Sequence, residues 1–389
     1  MINIHSIQNC CLCGACKDVC PKSAIAFTNR QHTFDYPIVD KDKCVACGLC
    51  EKVCPELNEI EEQNPISSFA AYSNDDNVKM NSTSGGIFFE LAKKIIQDGG
   101  VVFGAAFDSN YHVKHIMVDK VEDIGKLCGS KYVQSDMSGC YSQIQNLIKN
   151  GQTVLFSGCP CQCAGVYWFF SEKERQSVIL VDFICHGIQS DLIFQHYLSY
   201  LERKYRSKIT DFKFRSKEKV GWEKSEVKIT FLDGTLVSCP YYEDPYVKGM
   251  LQGISCKESC YSCSFKGLRS GSDITLGDYW GVKESDPEAF DVMGTSIISV
   301  QSEKGMRLIQ SFEGVTLFDR TIERLTVKNK GLFVPFGRGK KYEFYWNKMT
   351  SSSDPFKLLN KTVSPSAKER IISNVRRIRN YLKGKNKHE

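Results

Sequence analysis

The stretch Asn9 to Pro21, NCCLCGACKDVCP, holds five cysteines in thirteen residues, and Lys43 to Pro55, KCVACGLCEKVCP, repeats its pattern 34 positions later. Cys10, Cys13, Cys16 and Cys20 fall in one register with Cys44, Cys47, Cys50 and Cys54, and each run closes on Cys-Pro. Three thiolates two residues apart wrap a tight loop around one face of a metal centre. The fourth falls on a helical turn past the loop and points the other way, and proline then turns the chain. The small residues Gly14, Ala15, Ala46 and Gly48 leave room beside the sulfurs and free backbone N–H groups toward them.

This is the spacing by which bacterial ferredoxins hold two [4Fe–4S] clusters, the last cysteine of each run ligating the cluster of the other. It assigns Cys10, Cys13, Cys16 and Cys54 to one cluster, and Cys44, Cys47, Cys50 and Cys20 to the second. Zinc sites favour paired C-x-x-C knuckles, which two identical four-cysteine runs fit poorly. Cys11 is out of register, since Val45 holds its place in the second run, and reads as a spare thiol. Between the runs, AIAFTN and TFDYPIVD predict a hairpin. The module ends near Asn64-Pro65, where EIEEQNP reads as a linker.

The chain has 389 residues, long enough for more than one domain, and 19 cysteines. No apolar run approaches the ~18 residues of a membrane span, and MINIHSIQN lacks the pattern of a secretory signal. The expectation is a cytoplasmic protein whose cysteines are thiols and metal ligands rather than disulfides. The net charge of +6 is local: Lys361 to Glu389 has nine Lys/Arg against two acids, which leaves −1 for the rest. No nucleic-acid groove is implied. In the tail, Ile371, Ile372, Val375, Ile378 and Leu382 recur at helical spacing, as in a basic amphipathic helix that packs on the body or touches anionic lipid.

Beyond the module, strand and helix signals alternate. FAAYS, VVFGAAF, TVLFSG, VILVDFI, ITDFKFRS, EVKITFLDGTLVSC, DITLGDYWG and TSIISVQS read as strands. SGGIFFELAKKIIQDGG, GCYSQIQNLIKNG, SDLIFQHYLSYLERKYR and KGMRLIQSF read as helices. The result is a mixed α/β domain with antiparallel pairing in its second half. Ser84-Gly85-Gly86 opens a helix and suits a phosphate, as it also suits a plain cap. Gly129-Ser130-Lys131-Tyr132 offers a hydroxyl, an ammonium and an aromatic ring. SGCPCQCAG, Ser157 to Gly165, joins a strand to a helix, where a thiol of lowered pKa is expected. His186, in ICHG, reads as a ligand, a proton relay or a structural histidine.

Cys256, Cys260 and Cys263 form a further set in SCKESCYSCSF. A third cluster there needs a fourth thiolate, with Cys161 first and Cys159 and Cys185 in reserve; zinc or free buried thiols are the alternatives.

STSGGIFFELAKKIIQDGGVVFGAAFD, GSKYVQSD, LFSGCPCQCAG, VDFICHG and DITLGDYWG, in this order, resemble the coenzyme F-420 hydrogenase/dehydrogenase beta-subunit family from about Phe69 to Ser302. The resemblance implies FAD near Ser84, Gly85, Gly86, Gly129, Ser130, Lys131 and Tyr132. It also implies a third [4Fe–4S] cluster with Cys161 at the family's Pro-Cys-Gln cysteine, and electron exchange with coenzyme F-420. Cys159 stands where the family more usually has threonine, and Cys163 is extra. The implied layout is a two-cluster ferredoxin-like domain over 1–64 and a mixed α/β flavin-binding domain in two parts, 65–150 and 151–335. A C-terminal extension, 336–389, follows. The implied function is an iron–sulfur flavoprotein oxidoreductase with a low-potential electron-carrier protein or another redox subunit as partner, acting on F-420 or an organic substrate. A link to polysaccharide synthesis and ferredoxin-dependent reduction of a sugar intermediate are further readings. A redox sensor or assembly protein with structural clusters is the alternative from another class.

Overall fold

A computed structural model describes residues 9–219, 221–350 and 352–365. The apolar tail positions Ile371, Ile372, Val375, Ile378 and Leu382 lie outside these residues.

The cysteine runs fold as a repeat at the level of backbone. Leu12 (φ 59°) and Gly14 (φ 83°) are left-handed, and 34 positions later so are Ala46 (φ 53°) and Gly48 (φ 74°). Each loop leads into one short helical turn, Ala15–Asp18 and Leu49–Lys52. Between them β1 (Ile25–Gln31) and β2 (Phe34–Val39) pair as the expected antiparallel hairpin.

The larger part is built on β3 (Ser67–Ser73), β4 (Val101–Phe107), β5 (Val113–Val118), β6 (Val154–Ser157), β7 (Val178–Phe183), β8 (Ile209–Ser216), β9 (Glu226–Phe231), β10 (Leu236–Pro240), β11 (Ile274–Asp278), β12 (Ser296–Val300) and β13 (Val315–Asp319). Eight of these form one mixed sheet in the order β13-β3-β12-β11-β7-β6-β4-β5, with β4, β6, β7 and β11 parallel. Its central strands are apolar on both faces, as strands covered on both sides must be. Val101, Phe103, Val154, Phe156, Val178 and Leu180 pack with residues of helices Cys140–Lys149 and Pro160–Phe169. Val102, Leu155, Ile179, Val181, Ile274 and Ile298 pack with residues of helices Ile87–Gln97 and Glu303–Gln310.

A second, antiparallel sheet, β10-β9-β8, packs with helices Asp191–Tyr205 and Pro355–Val363. The segment EVKITFLDGTLVSC, read as strand throughout, is two strands of this sheet. Gly234 (φ 84°) bends the chain, and Asp233 Oδ1 accepts from Thr235 N at 3.0 Å. An Asp-Gly pair between alternating residues is a hairpin signal. Among the described residues, no helix is long and apolar enough to cross a membrane.

Candidate functional site

In open α/β sheets, ligands gather outside the carboxyl ends of the parallel strands. Here those ends lead into the cysteine-rich loops. β6 leads to Cys159 and Cys161, β7 to Cys185 and His186, and β11 ends at Asp278 before Trp280. The ferredoxin module docks on this body through its first run, its hairpin turn and the residues after its second run. Tyr141 Oη donates to the Cys13 carbonyl (2.8 Å), Gly139 N donates to Asp18 Oδ2 (3.1 Å), and the His32 and Trp346 rings stack at 4.3 Å.

Two groups of cysteines come together in the module. Cys10, Cys13, Cys16 and Cys54 are buried, and Cys10 and Cys16 each feel the charge of Cys13 and Cys54. Burial pushes the Cys10 thiol up to about 12 and Cys54 up to about 11. Thiols so placed are costly to ionise alone; a metal cluster that binds thiolates supplies the missing positive charge. Cys20, Cys44, Cys47 and Cys50 line one cavity together with Ala46 and Gly48, and Cys47 is exposed. One set of four is therefore internal and the other faces outward. Both sets suit [4Fe–4S] clusters in the chemistry of their donors. Among the described residues, no three or more His, Cys, Asp or Glu side chains converge as a site for a single metal ion.

A third gathering of sulfur lies beside the inner set. Cys260 and Cys263 feel the charge of Cys161, and Cys256 and Cys260 feel that of Cys185. A methyl group on Gly187 (φ 103°) would stand 2.9 Å from Cys256 Sγ. Hydrogen bonds from the Cys11 and Cys159 thiols hold Cys161 well below its usual pKa, and a bond from Cys159 pulls Cys185 down to about 7. Thus the depressed thiol expected in SGCPCQCAG is Cys161, whereas Cys159 and Cys163 are raised, Cys159 by its bonds to other thiols and Cys163 by burial. Cys161, Cys256, Cys260 and Cys263 are brought together, with Cys185 among them. Cys11 has a place that the register argument did not give it, between Cys13 and Cys161, hydrogen-bonded to both.

The two glycine-bearing loops also meet. Thr83 Oγ1 accepts from Ser130 N at 3.0 Å and lies 3.2 Å from Ser130 Oγ. The cap differs from expectation: Gly86 (φ 88°) is the N-cap of Ile87–Gln97, and Ser84 Oγ donates to the Thr295 carbonyl instead. Gly85 has a packing reason, since a Cβ there would stand 2.6 Å from the Ala71 carbonyl oxygen. Lys131 Nζ donates to the carbonyls of Leu127, Cys128 and Gly129, and burial draws its pKa down to about 8. Tyr132 packs edge-on to Phe214 (5.2 Å).

Arg215, Lys217, Trp222 and Trp280 complete this region and were not singled out from sequence. Arg215 is the penultimate residue of β8, and Lys217 follows the strand directly. The Arg215 guanidinium lies over Tyr241 and Trp280 and pairs with Asp278 at 3.5 Å, while its Nη2 is buried without a partner. Trp222 stacks on Trp280 at 5.2 Å and donates to Asp278 Oδ1 (3.0 Å). Lys217 Nζ donates to the Ser84 carbonyl at 2.8 Å, and burial lowers its pKa to about 8. The alternation of Arg and Lys within an aromatic strand, FKFRSK, was the available signal. His186 packs its ring against Gly331, and burial and Lys266 lower its pKa.

Comparison with known proteins follows these two halves. Residues 9–57 match the 4Fe-4S dicluster domain. Residues 151–318 match the family described as the C-terminal region of the coenzyme F420 hydrogenase/dehydrogenase beta subunit. The beta-subunit match includes Cys161, Cys185, Cys256, Cys260 and Cys263, and it begins after the loops at Ser84 and Gly129. A chain of the xenon-derivatized F420-reducing [NiFe] hydrogenase complex from Methanosarcina barkeri is similar at 17% identity. That similarity covers 70% of this chain and 88% of that one, with a TM-score of 0.47. None of the curated proteins matches. An iron–sulfur dicluster domain joined to a beta-subunit domain is an arrangement for redox electron transfer, and the chain is of oxidoreductase type.

Proposed function

We propose that the protein is an iron–sulfur flavoprotein oxidoreductase. In this reading it passes electrons between three [4Fe–4S] clusters and a hydride carrier, coenzyme F-420 or a similar one, or an organic substrate, through FAD. The observation that carries the reading is the line of sulfurs from the exposed Cys47 set to the buried Cys13 set. It runs on through Cys11 to Cys161 and Cys185 at the carboxyl edge of the sheet. A flavin supplies the exchange between one-electron and hydride chemistry.

Cys10, Cys13, Cys16 and Cys54 would hold the inner cluster, and Cys20, Cys44, Cys47 and Cys50 the outer one, where a partner protein or redox subunit delivers or collects electrons. Cys161, Cys256, Cys260 and Cys263 would hold the third. Cys185 competes for the fourth position, since it also neighbours Cys256 and Cys260. Ser84, Gly85, Gly86, Gly129, Ser130, Lys131 and Tyr132 would border the flavin, the Thr83–Ser130 contact holding the two loops as one edge. Buried Arg215 and Lys217 place positive charge in the same region and suit an anionic group of cofactor or substrate. The domain division 1–64, 65–150, 151–335 and 336–389 belongs to this proposal, as do a cytoplasmic setting and a role beside polysaccharide synthesis.

The test is purification without oxygen, followed by titration of iron, sulfide and flavin. The reading expects roughly twelve irons per chain and one flavin. Absence of flavin after reconstitution favours the alternative of a redox sensor with structural clusters.

A further inference from the structure

Lys257 follows Cys256 and is 1% exposed. Its ammonium donates to the carbonyl of Cys11 and to Gln134 Oε1 (2.9 Å), both neutral acceptors. The groups that face it come from every element around it. Cys10 and Cys11 belong to the first cysteine run, Cys161 to the loop after β6, Cys256 and Cys260 to the third set; Tyr36 lies on β2, and Glu56 follows the second run. Lys257 thus stands at the junction of the inner ferredoxin set and the third set, bonded to the residue between them.

Burial of a lone ammonium is expensive. The sulfurs of Cys161, Cys260 and Cys11 surround it, and its hydrogen bonds to the Cys11 carbonyl and Gln134 fix the ammonium between the two sets. Glu56 accepts from Ser264 Oγ at 3.1 Å rather than from the ammonium. The charge at this position is therefore balanced by sulfur on both sides.

We infer that Lys257 is the positioning residue that sets the potentials of the two flanking clusters. Its fixed positive charge makes both easier to reduce, and its bond to Cys11 holds the two sets in contact. This rests on the three-cluster reading above. The event it sits beside is transfer of one electron, which oxidises one of the two clusters and reduces the other. No bond breaks, and the charge that moves stays beside the same ammonium. Each cluster gains negative charge when reduced, so a nearby cation stabilises the reduced form.

The experiment is an EPR-monitored redox titration of the full, anaerobically purified protein with Lys257→Met, Lys257→Arg and Gln134→Glu. With iron content unchanged, Lys257→Met should lower the reduced-to-oxidised ratio of the flanking clusters about tenfold at a fixed potential, a midpoint shift of about 59 mV for a one-electron couple. The outer cluster of Cys20, Cys44, Cys47 and Cys50 should titrate as before. Lys257→Arg should stay within about twofold of the parent, since it keeps the charge. Gln134→Glu sets a carboxylate against the ammonium and should shift the same two clusters in the direction of Lys257→Met. It decides the matter if Lys257→Met loses iron. Unchanged potentials in an iron-replete Lys257→Met, an arginine variant that shifts as far as the methionine one, or an unshifted Gln134→Glu protein would overturn the inference. Roughly eight irons in the parent would overturn the third cluster instead, and the inner cluster would still report on Lys257.

Discussion

Gly165 lies directly against Cys13: a methyl group added to the glycine would stand 2.9 Å from Cys13 Cβ, 3.1 Å from its Sγ and 2.7 Å from Tyr141 Oη. The ferredoxin module meets the body at one of its own candidate ligands. Gly165→Ala should therefore displace Cys13 or the hydrogen bond from Tyr141 to its carbonyl. The expected result is loss of about one cluster's iron, seen by iron titration and EPR. Full iron with an unaltered spectrum would show that the contact is loose.

The cysteines divide into ligands and neighbours, and iron content separates them. Cys161→Ser should remove about one third of the iron, one cluster of three. Cys11→Ala should leave iron unchanged, because the repeat register excludes Cys11 from the inner set. Cys185→Ser distinguishes the fourth ligand: full iron keeps Cys161 in the set, and loss of one cluster puts Cys185 there.

The loops at Ser84 and Gly129 are joined by Thr83 and Ser130. If they form one edge of a flavin site, Thr83→Val should weaken flavin binding about tenfold, the order of one or two lost hydrogen bonds. Fluorescence of released flavin under dilution measures this. Unchanged retention would move the flavin away from these loops.

Asp182 on β7 is buried, with Oδ1 unpartnered, and burial raises its carboxyl from 3.8 to about 6. The unfolded chain ionises this group first, so the folded state binds the extra proton between about pH 4 and 6. Stability therefore falls as pH rises through that window, and the cost, at most about 3 kcal/mol, is fully present above it. Asp182→Asn should raise the unfolding temperature at pH 7 and change it little at pH 4. An equal shift at both values would mean that the folded state does not raise the Asp182 carboxyl.

Much of the fold was legible because it rests on local rules. The apolar runs at Val101, Val154 and Val178 predicted buried strands, and the Cys-Pro repeat carried the module down to its left-handed residues. What escaped was set by contacts distant in sequence. Lys257 looks like a surface lysine until Cys11 and Cys161 close around it. Arg215 and Trp280 meet only when β8 and β11 bring them together. Cys11, out of register, seemed idle because its partner, Cys161, lies 150 positions away. Ser84 lies two positions before the cap, Gly86, because tertiary bonding to Thr295 took its hydroxyl.

The most direct measurement is anaerobic titration of the reconstituted protein with dithionite-reduced ferredoxin, following cluster and flavin absorbance together in the parent and in Cys161→Ser. The account predicts that flavin is reduced in the parent, and at least tenfold more slowly in Cys161→Ser while the ferredoxin-module clusters still reduce. Flavin that stays oxidised in the parent although its clusters are reduced, or that is reduced equally fast without Cys161, would contradict it.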